Sequence, residues 1–488
     1  KWTWSGWVKF PDTSDSNTTQ IFSYNQGNTN NRGSFYRGSS GVLNYQLRVG
    51  GSASQYRLAF VTTNAQLRDP SAWYHIVLVI DSDQGSSSDR VKIYINGDLQ
   101  SVVYHNGPSS GFSTWINSTS TIYIGAASDQ NGGNMYLAEV HFIDGQAYDS
   151  SYFGFTDPVT GIWMPKRYEG TYGTNGFHLE FKDNSSTSAL GKDTSGNGND
   201  WTVSNFSVTA GKDNDFLEDT PTNNFCTISR LDTYRSGNTV AEGGLKLTRT
   251  GSNFGNARGS MAVNSGKWYY EWECTGQHTQ VGWVNTEFDI NYNGGDVAVT
   301  SSGGNGVGMY WDSRTYMYGW QNSGGNTYFP SSGSFVTYTT GDIIMVAVDL
   351  DTFKFWFGKN GTWINVLGTA DPAAGTDGIT PVASKNDGTY EAGMYFTPLI
   401  SCFSNGSGYV NFGQRPFSYT IPSGYKTLHE RNIPLASTSI VRPQRHFETL
   451  IYTGDGTATR SISGLEFKPD LVWIKNRGQT DWHIWGDS

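Results

Sequence analysis

The sequence is poor in the features that mark several large classes of protein. Its three cysteines, Cys226, Cys274 and Cys402, are far apart, so it has neither a disulfide framework nor a CxxC metal motif. Only 16% of the residues are charged and the formal net charge is -10, which argues against nucleic-acid or anionic-membrane partners. No apolar run approaches the ~20 residues that span a bilayer, which argues against membrane insertion. Motifs of the G-x-S-x-G, HExxH and Walker types are also missing.

Glycine and aromatic residues, in contrast, are abundant. The chain has 60 glycines and 15% aromatic residues, and no long stretch repeats apolar residues with a helical period. Chains built from many short strands and turns have this composition. The length of 488 residues suits roughly two to four domains. We therefore predict an all-β fold made of tandem antiparallel β-sandwiches.

The strongest strand signal lies between Gly341 and Trp363, in GDIIMVAVDLDTFKFWFGKNGTW. Residues 343–350 are mostly apolar on both alternating faces, as expected for a strand that is covered on two sides. The chain then turns, runs through the alternating segment FKFWF, and turns again at Asn360-Gly361, because both residue types accept positive φ. We predict that this hairpin is the centre of a β-sandwich.

Residues 226–428 carry further motifs in a fixed order around this hairpin. They are GKWYYEWEC, VGWV, the GD and KNG ends of the hairpin, PLISCF and NFGQRPF. The series resembles the SPRY (B30.2-like) β-sandwich, whose members generally bind partners through loops. Several side chains within its strands are interpreted as core residues: Trp268, Trp272, Cys274, Phe355, Trp356 and Cys402.

Residues 1–165 contain a second ordered series. WYHIVLVID, VKIYINGDL with a turn at Asn96-Gly97, IYIG and YLAEVHFID follow one another. This series resembles the laminin-G-like, concanavalin A-like jelly rolls, and because the usual first strands are missing we expect the chain to begin inside this domain. Residues 166–225 form a turn-rich connector. Its strand at 177–181 and its DTSGNGNDW run either belong to the first sandwich or stand apart.

The connector and the last residues suggest a biological setting. The segment SVTAGKDNDFLEDTPTNNF, residues 207–225, resembles a segment of tail-fibre-like proteins of marine tailed bacteriophages. Residues 429–488 pass through a linker into the start of a small β-module that resembles a module of phage structural proteins, and we expect the chain to end inside it. The resemblance implies an extracellular virion surface protein of a tail or appendage, and favours a homotrimer.

The candidate catalytic carboxylates lack suitable partners. Glycosidases need two carboxylates ~5–9 Å apart around the scissile bond. In the strand AEVHFID, Glu139 and His141 share a face, whereas Asp144 lies on the other face. Glu271 and Glu273 also share a face, which we interpret as the solvated face of a structural strand. We therefore predict that the chain is not an enzyme.

One loop is a candidate calcium site. Asp81, Asp83 and Asp89 lie in DSDQGSSSD, and Ca²⁺ prefers oxygen ligands of this kind. The spacing does not fit an EF-hand, although the resemblance to laminin-G-like domains, which often bind Ca²⁺, supports the prediction. A solvated hairpin loop without metal is the alternative.

A second loop is a candidate ligand site. In GMYWDSRTYMYGW, aromatic and polar side chains surround a turn, and aromatic faces with nearby polar groups suit a sugar. Core packing or contact with a protein is the alternative. The predicted ligand-binding residues are Trp311, Asp312, Arg314, Tyr316 and Trp320.

These observations predict a non-catalytic virion surface or tail-fibre protein. It would mediate host adhesion, with β-sandwich loops binding a glycan or protein of the host cell surface. Repetition of weak sites on one particle would raise avidity by ~10²–10⁴. One alternative is a structural protein that decorates a virion or cell surface and binds other subunits. Another is the non-catalytic binding part of a larger carbohydrate-active enzyme.

Overall fold

The computed structural model describes residues 1–11, 18–25, 31–50, 56–116, 120–127, 133–233, 237–287, 290, 308–313, 317–319, 327–329, 336–364, 370–380, 393–433, 445–457 and 459–487. These residues form antiparallel strands with short 3-10 helices at Ser87–Asp89, Ser150–Tyr152, Ser188–Gly191, Glu242–Gly244 and Glu430–Asn432. Among them, no helix is both long and apolar enough to cross a membrane.

Two six-stranded sheets form the first sandwich. The strands up to the connector are β1 (Trp2–Lys9), β2 (Thr19–Asn25), β3 (Arg32–Arg37), β4 (Val42–Val49), β5 (Tyr56–Gln66), β6 (Trp73–Ile80), β7 (Val91–Ile95), β8 (Asp98–Leu99), β9 (Val102–Asn106), β10 (Thr121–Ile124), β11 (Tyr136–Asp144), β12 (Gly154–Thr156), β13 (Trp163–Pro165) and β14 (Phe177–Leu179). One sheet has the order β14-β11-β1-β6-β7-β8 and the other β10-β2-β3-β4-β5-β9, while β12 and β13 pair separately.

Strand β1 is buried on both faces, which explains its central place in the first sheet. Trp2 and Trp4 lie in the core between the sheets, and both rings contact Phe22 of the opposite sheet, with centroids 6.2 and 6.3 Å apart. Trp7 lies in a separate apolar cluster with Trp73. The outer face of this sheet is therefore also covered by the chain.

The connector contributes a strand to the first sandwich. β14 pairs with β11, and Phe177 and Leu179 lie in the core with Phe142. The rings of Phe142 and Phe177 stack with centroids 5.6 Å apart. Strand β14 of the connector is therefore the edge strand of one sheet of the first sandwich.

Two seven-stranded sheets form the second sandwich. Its strands are β15 (Ile228–Thr233), β16 (Asn238–Ala241), β17 (Lys246–Arg249), β18 (Gly255–Gly259), β19 (Lys267–Cys274), β20 (Thr279–Asn285), β21 (Gly308–Asp312), β22 (Met317–Gly319), β23 (Thr327–Phe329), β24 (Ile343–Asp349), β25 (Lys354–Lys359), β26 (Thr362–Ile364), β27 (Phe396–Cys402) and β28 (Ser407–Asn411). The sheet orders are β15-β18-β27-β20-β21-β22-β23 and β16-β17-β28-β19-β24-β25-β26. The predicted all-β fold with tandem antiparallel β-sandwiches is confirmed.

The hairpin from Gly341 to Trp363 has the predicted form. β24 is buried over nearly its whole length and pairs with β25, and the chain turns at 350–353 between them. Asn360 and Gly361 adopt φ values of 48° and 84°, as the Asn-Gly turn predicted. The predicted core residues are all buried: Trp268, Trp272, Cys274, Phe355, Trp356 and Cys402.

A short hairpin near the C-terminus lies apart from both cores. β29 (Leu471–Ile474) pairs with β30 (Ile484–Asp487), and the rings of Trp473 and Trp485 stack with centroids 5.0 Å apart. Trp482, in the loop between the strands, is 92% exposed. This segment therefore presents aromatic surface that the described part of the chain leaves uncovered.

Candidate functional site

The turn predicted to bind a ligand follows β21, near one end of a sheet of the second sandwich. Trp311 pairs with Met317, so β21 and β22 form the hairpin that the sequence predicts. Trp311 and Asp312 end β21, and the remaining predicted contacts lie outside the described residues: Arg314, Tyr316 and Trp320. Ligand binding by these five residues stays a prediction.

The base of this turn is fixed to the core of the second sandwich. Ser313 is buried, its N–H donates to the Thr279 carbonyl oxygen (3.0 Å), and its Oγ accepts from the Thr279 N–H (3.1 Å). The Tyr338 hydroxyl donates to the same carbonyl oxygen (2.7 Å). The described end of this hairpin is therefore anchored to the core through Ser313.

The predicted calcium loop is held by groups of the protein itself. Asp81 is buried, with Oδ1 accepting from the Asp83 N–H (3.3 Å) and Oδ2 accepting from Gln84 Nε2 (2.7 Å). Desolvation raises the pKa of Asp81, but the hydrogen bonds from Gln84 and Asp83 and the nearby Lys1 ammonium hold it below its ordinary value. Asp89 forms an ion pair with Lys92 (3.4 Å).

A cation of the chain already lies against the carbonyl oxygens of this loop. The Arg90 guanidinium donates to the carbonyl oxygens of Gln84 (2.8 Å), Gly85 (2.8 Å) and Pro108 (2.7 Å). Backbone carbonyl oxygens of this kind are ligands that Ca²⁺ would otherwise use. Among the described residues, the carboxylates of Asp81, Asp83 and Asp89 do not lie together within 4.8 Å of one another. Calcium binding by this loop stays a prediction.

A buried ion pair joins the first sandwich to the connector. Lys9 Nζ lies 2.8 Å from Asp219 Oδ2, and both side chains are 0% exposed. Lys9 also donates to Asn224 Oδ1 (2.7 Å), and Trp73 Nε1 donates to Asp219 Oδ1 (2.8 Å). Both charges therefore have hydrogen-bonding partners, which a buried charge requires.

A second contact links the first sandwich directly to the second. The Tyr136 hydroxyl of β11 donates to the Gly243 carbonyl oxygen (2.6 Å), and the Gly243 N–H donates to Asn134 Oδ1 (3.0 Å). Gly243 has φ 70°, and an added Cβ would lie 2.6 Å from the Tyr136 hydroxyl. Glycine is therefore required here both for the backbone conformation and for the close approach of the two domains.

Glu271 lies on a covered face of the second sandwich, so the prediction of a solvated face is wrong at this residue. Its carboxylate is 3% exposed and accepts from the Tyr269 hydroxyl (2.7 Å) and from the N–H groups of Ser418 (2.9 Å) and Tyr419 (3.0 Å). The segment after β28 returns over this face and supplies these donors. Desolvation raises the pKa of Glu271 above its ordinary value, against the effect of the hydrogen bonds.

A β-bulge in β11 displaces Glu139 from the regular strand. The pairing of β1 with β11 shifts between Ser5 and Trp7, so that Glu139 and Val140 together oppose Gly6. Glu139 has φ 49°, a left-handed conformation that glycine favours. The bulge leaves Val140 in the core while Glu139 projects with 44% of its side chain exposed.

The displaced carboxylate meets two histidines. His141 of β11 pairs directly with His178 of β14, and the two rings stack with centroids 4.1 Å apart. Glu139 Oε2 lies 2.9 Å from His178 Nε2 and 3.8 Å from His141 Nε2. The three ligand atoms lie within 4.8 Å of one another. This is an arrangement that could hold a metal ion.

Sequence reasoning placed Glu139 and His141 on one face but missed His178. The local signal was a histidine in the short strand FHL of the connector. Glu139 and His178 are 39 positions apart, and only the pairing of β14 with β11 brings them together. Sequence patterns do not report the partner of a short strand over such a separation.

Three family models match separate parts of the chain. Residues 1–146 match the concanavalin A-like lectin/glucanases superfamily, within its laminin-G-like group. Residues 267–414 match the SPRY domain. Residues 442–488 match a domain of unknown function, DUF7483. The first two matches fall on the two sandwiches.

Solved SPRY domains are similar to part of the chain. The SPRY domain of human HERC1 shares 17% identity, and the match covers 38% of this chain and 96% of that one with a TM-score of 0.26. The TRIM65 PSpry domain shares 8% identity, with coverage of 38% and 89% and a TM-score of 0.28. At these scores neither likeness bears on function. On its family matches, the chain contains a laminin-G-like, concanavalin A-like domain and a SPRY domain, two folds that are commonly non-catalytic binding modules.

Proposed function

We propose that this chain is a non-catalytic adhesion protein that binds a glycan or protein of a host cell surface through loops of its β-sandwiches. The observation that carries the proposal is the β21–β22 hairpin, whose base is anchored to the core through Ser313 and Thr279. The residues that follow this anchor in the sequence are aromatic and polar, a composition that suits the stacking and hydrogen bonding that sugars require. The fold families of the two sandwiches support a binding role.

The proposed location is the surface of a virion, on a tail or appendage. It rests on the resemblance of residues 207–225 to tail-fibre-like phage proteins. We further propose a homo-oligomer, with a trimer favoured by the same resemblance, since repeated weak sites gain avidity.

Binding of the chain to candidate host cells and to a glycan array tests this proposal. We expect saturable binding, and we expect Trp320→Ala and Arg314→Ala to weaken it, because loss of a central aromatic contact costs about 2 kcal/mol or more. Trp482→Ala is the control, since that indole is 92% exposed and lies in the C-terminal hairpin. Repeating the assay in EDTA tests the calcium loop at Asp81, Asp83 and Asp89.

Assembly with neighbouring subunits is a second candidate function, and the exposed aromatic surface of the C-terminal hairpin favours it. Trp473 and Trp485 are more than half exposed although their rings stack on one another. Apolar surface of this kind commonly marks a protein contact. If the chain binds purified particles but no host surface, the adhesion proposal is wrong and assembly is supported.

A further inference from the structure

We propose that Glu139, His141 and His178 form a binding site for a divalent transition-metal ion, with Zn²⁺ as the first choice. The ligand atoms are Glu139 Oε2 and the Nε2 atoms of the two histidines. Two imidazoles and one carboxylate are a known ligand set for Zn²⁺ sites that keep a further position open. The site is separate from the predicted calcium loop and from the hairpin of the second sandwich.

The distances between the ligand atoms suit a small ion. Ligand atoms that bind tetrahedral Zn²⁺ at ~2.0–2.1 Å lie about 3.3 Å from one another. The observed separations of Glu139 Oε2 from the two Nε2 atoms, 2.9 and 3.8 Å, lie on either side of this value. The His141 and His178 planes are 10° apart, so binding requires the stacked rings to tilt until both lone pairs point at the ion.

Hydroxyl groups hold the far nitrogen of each ring. His141 Nδ1 is 3.0 Å from the Tyr172 hydroxyl, and His178 Nδ1 is 2.9 Å from Thr194 Oγ1. When Thr194 Oγ1 donates to the His178 carbonyl oxygen (3.2 Å), it can accept a hydrogen bond from the His178 Nδ1–H. A ring that donates from Nδ1 offers its Nε2 lone pair to a metal, and metal-binding histidines are usually held in this way.

The surroundings of the rings also suit a metal, because the His141 side chain is buried. Metal binding requires neutral imidazole and ionised carboxylate. When both rings donate from Nδ1, two lone pairs and a carboxylate face one another with no hydrogen between them. A bound cation removes this repulsion.

The backbone strain at Glu139 is a second, independent observation. A non-glycine residue at φ 49° is strained, and the bulge that holds it places the carboxylate beside the two histidines. Strained residues of this kind persist where the surrounding structure fixes them and are enriched at functional sites. His141 is buried, whereas the exposed part of Glu139 provides a route for an ion from solvent.

Titration of the metal-stripped chain with Zn²⁺, in competition with a chromophoric chelator, tests the site. We expect one equivalent to bind. Glu139→Gln should weaken binding by more than the roughly 10–100-fold that follows loss of a group hydrogen-bonded to a ligand. Tyr172→Phe should fall within that 10–100-fold range, since it removes only the hydroxyl that holds His141 Nδ1.

Two controls address binding elsewhere on the chain. His105→Gln removes a histidine of the first sandwich that stacks on Phe60, and Asp89→Asn removes a carboxylate of the predicted calcium loop. Both variants should bind Zn²⁺ like the wild type. Because a bound ion stabilises the folded state, Zn²⁺ should also raise the melting temperature of the wild type but not of Glu139→Gln.

The proposal is wrong if the wild type takes up no stoichiometric Zn²⁺, in which case the cluster holds only a proton between Glu139 and His178. It is equally wrong if Glu139→Gln binds as tightly as the wild type. Glu139 is half-exposed, so this variant is expected to fold, and its circular dichroism spectrum checks that point. Co²⁺, which gives a visible absorption band when bound by nitrogen ligands, provides a second readout that does not depend on the chelator.

Discussion

The two sandwiches each place a glutamate on a face that a later segment of the chain covers, and the two carboxylates have opposite surroundings. In the second sandwich, Glu271 accepts three hydrogen bonds, two of them from backbone N–H groups of Ser418 and Tyr419. In the first, Glu139 stands at a strained position and faces the nitrogen atoms of His141 and His178.

The difference separates a structural carboxylate from a candidate ligand. A buried carboxylate surrounded by donors is satisfied by the fold and stabilises it. A carboxylate that faces two imidazole nitrogens can share a proton or a metal cation with them. Asp219 offers a third case, because its partner is the buried ammonium of Lys9.

The largest loss of stability is expected for Lys9→Met. The variant leaves the buried carboxylate of Asp219 without its cation, and breaking a buried ion pair in this way costs about 3–5 kcal/mol. Denaturation in urea, followed by tryptophan fluorescence, measures the change. The control is Lys92→Met, whose partner Asp89 is 49% exposed, and it should cost less than about 1 kcal/mol.

A double variant sharpens this test. Lys9→Met with Asp219→Leu replaces both charges, so no unpaired charge stays buried, and we expect it to recover part of the loss. The indole N–H of Trp73 still loses its acceptor in this variant, which prevents full recovery. Equal losses for Lys9→Met and Lys92→Met would contradict the structural role of the buried pair.

Glu271→Ala should destabilise the second sandwich by about 3 kcal/mol. It leaves the buried hydroxyl of Tyr269 without an acceptor and removes the acceptor of the Ser418 and Tyr419 N–H groups, and an unsatisfied buried group costs ~1–3 kcal/mol. Glu273→Ala, two residues further along the same strand and only half-buried, is the control and should cost less than about 1 kcal/mol. Calorimetry of both variants measures the difference. A comparable loss for the two would mean that Glu271 is not held as described.

The first sandwich should lose stability as the pH falls below about 6.5, the ordinary pKa of histidine. Burial lowers the pKa of His75 to about 3, and its ring bonds to Ser5 Oγ (2.9 Å) and to Trp163 Nε1 (3.0 Å). Since the unfolded chain takes up the proton first, stability is complete above pH 6.5. It then falls by up to about 1.4 kcal/mol per pH unit between pH 6.5 and 3.

Urea denaturation at several pH values measures this dependence. His75→Gln should lower the slope of stability against pH, whatever it does to the stability at neutral pH. His141, whose pKa burial also lowers, accounts for part of the remaining slope. An unchanged slope in His75→Gln would show that this residue does not titrate as its surroundings require.

The smallest expected change in stability comes from the backbone strain at Glu139, as distinct from the loss of its carboxylate. Glu139→Gly should be more stable than Glu139→Ala by roughly 1 kcal/mol, because glycine adopts φ 49° without the strain that a Cβ brings. Thermal unfolding of the two variants measures the difference. Both variants should lose Zn²⁺ binding alike, so the comparison separates the cost of the bulge from the ligand that it presents.

The position of most strands could be read from the sequence, because burial leaves a periodic pattern along each of them. Trp73–Ile80, for example, is a strand within the motif WYHIVLVID, and the Asn360-Gly361 turn follows from local φ preferences alone. The sequence could not show that the segment after β28 covers Glu271. That burial depends on a return of the chain over the sheet rather than on the pattern of β19.

The sequence by itself determined the all-β class, the two sandwiches and their core residues, since alternation and turn residues act within a few positions of the chain. The tertiary structure alone decided which side chains meet across long separations. It paired Lys9 with Asp219 at the domain junction, and it brought His178 to Glu139 through the pairing of β14 with β11. These contacts arise from strand order and from a bulge, and neither leaves a periodic signal in the residues that it joins.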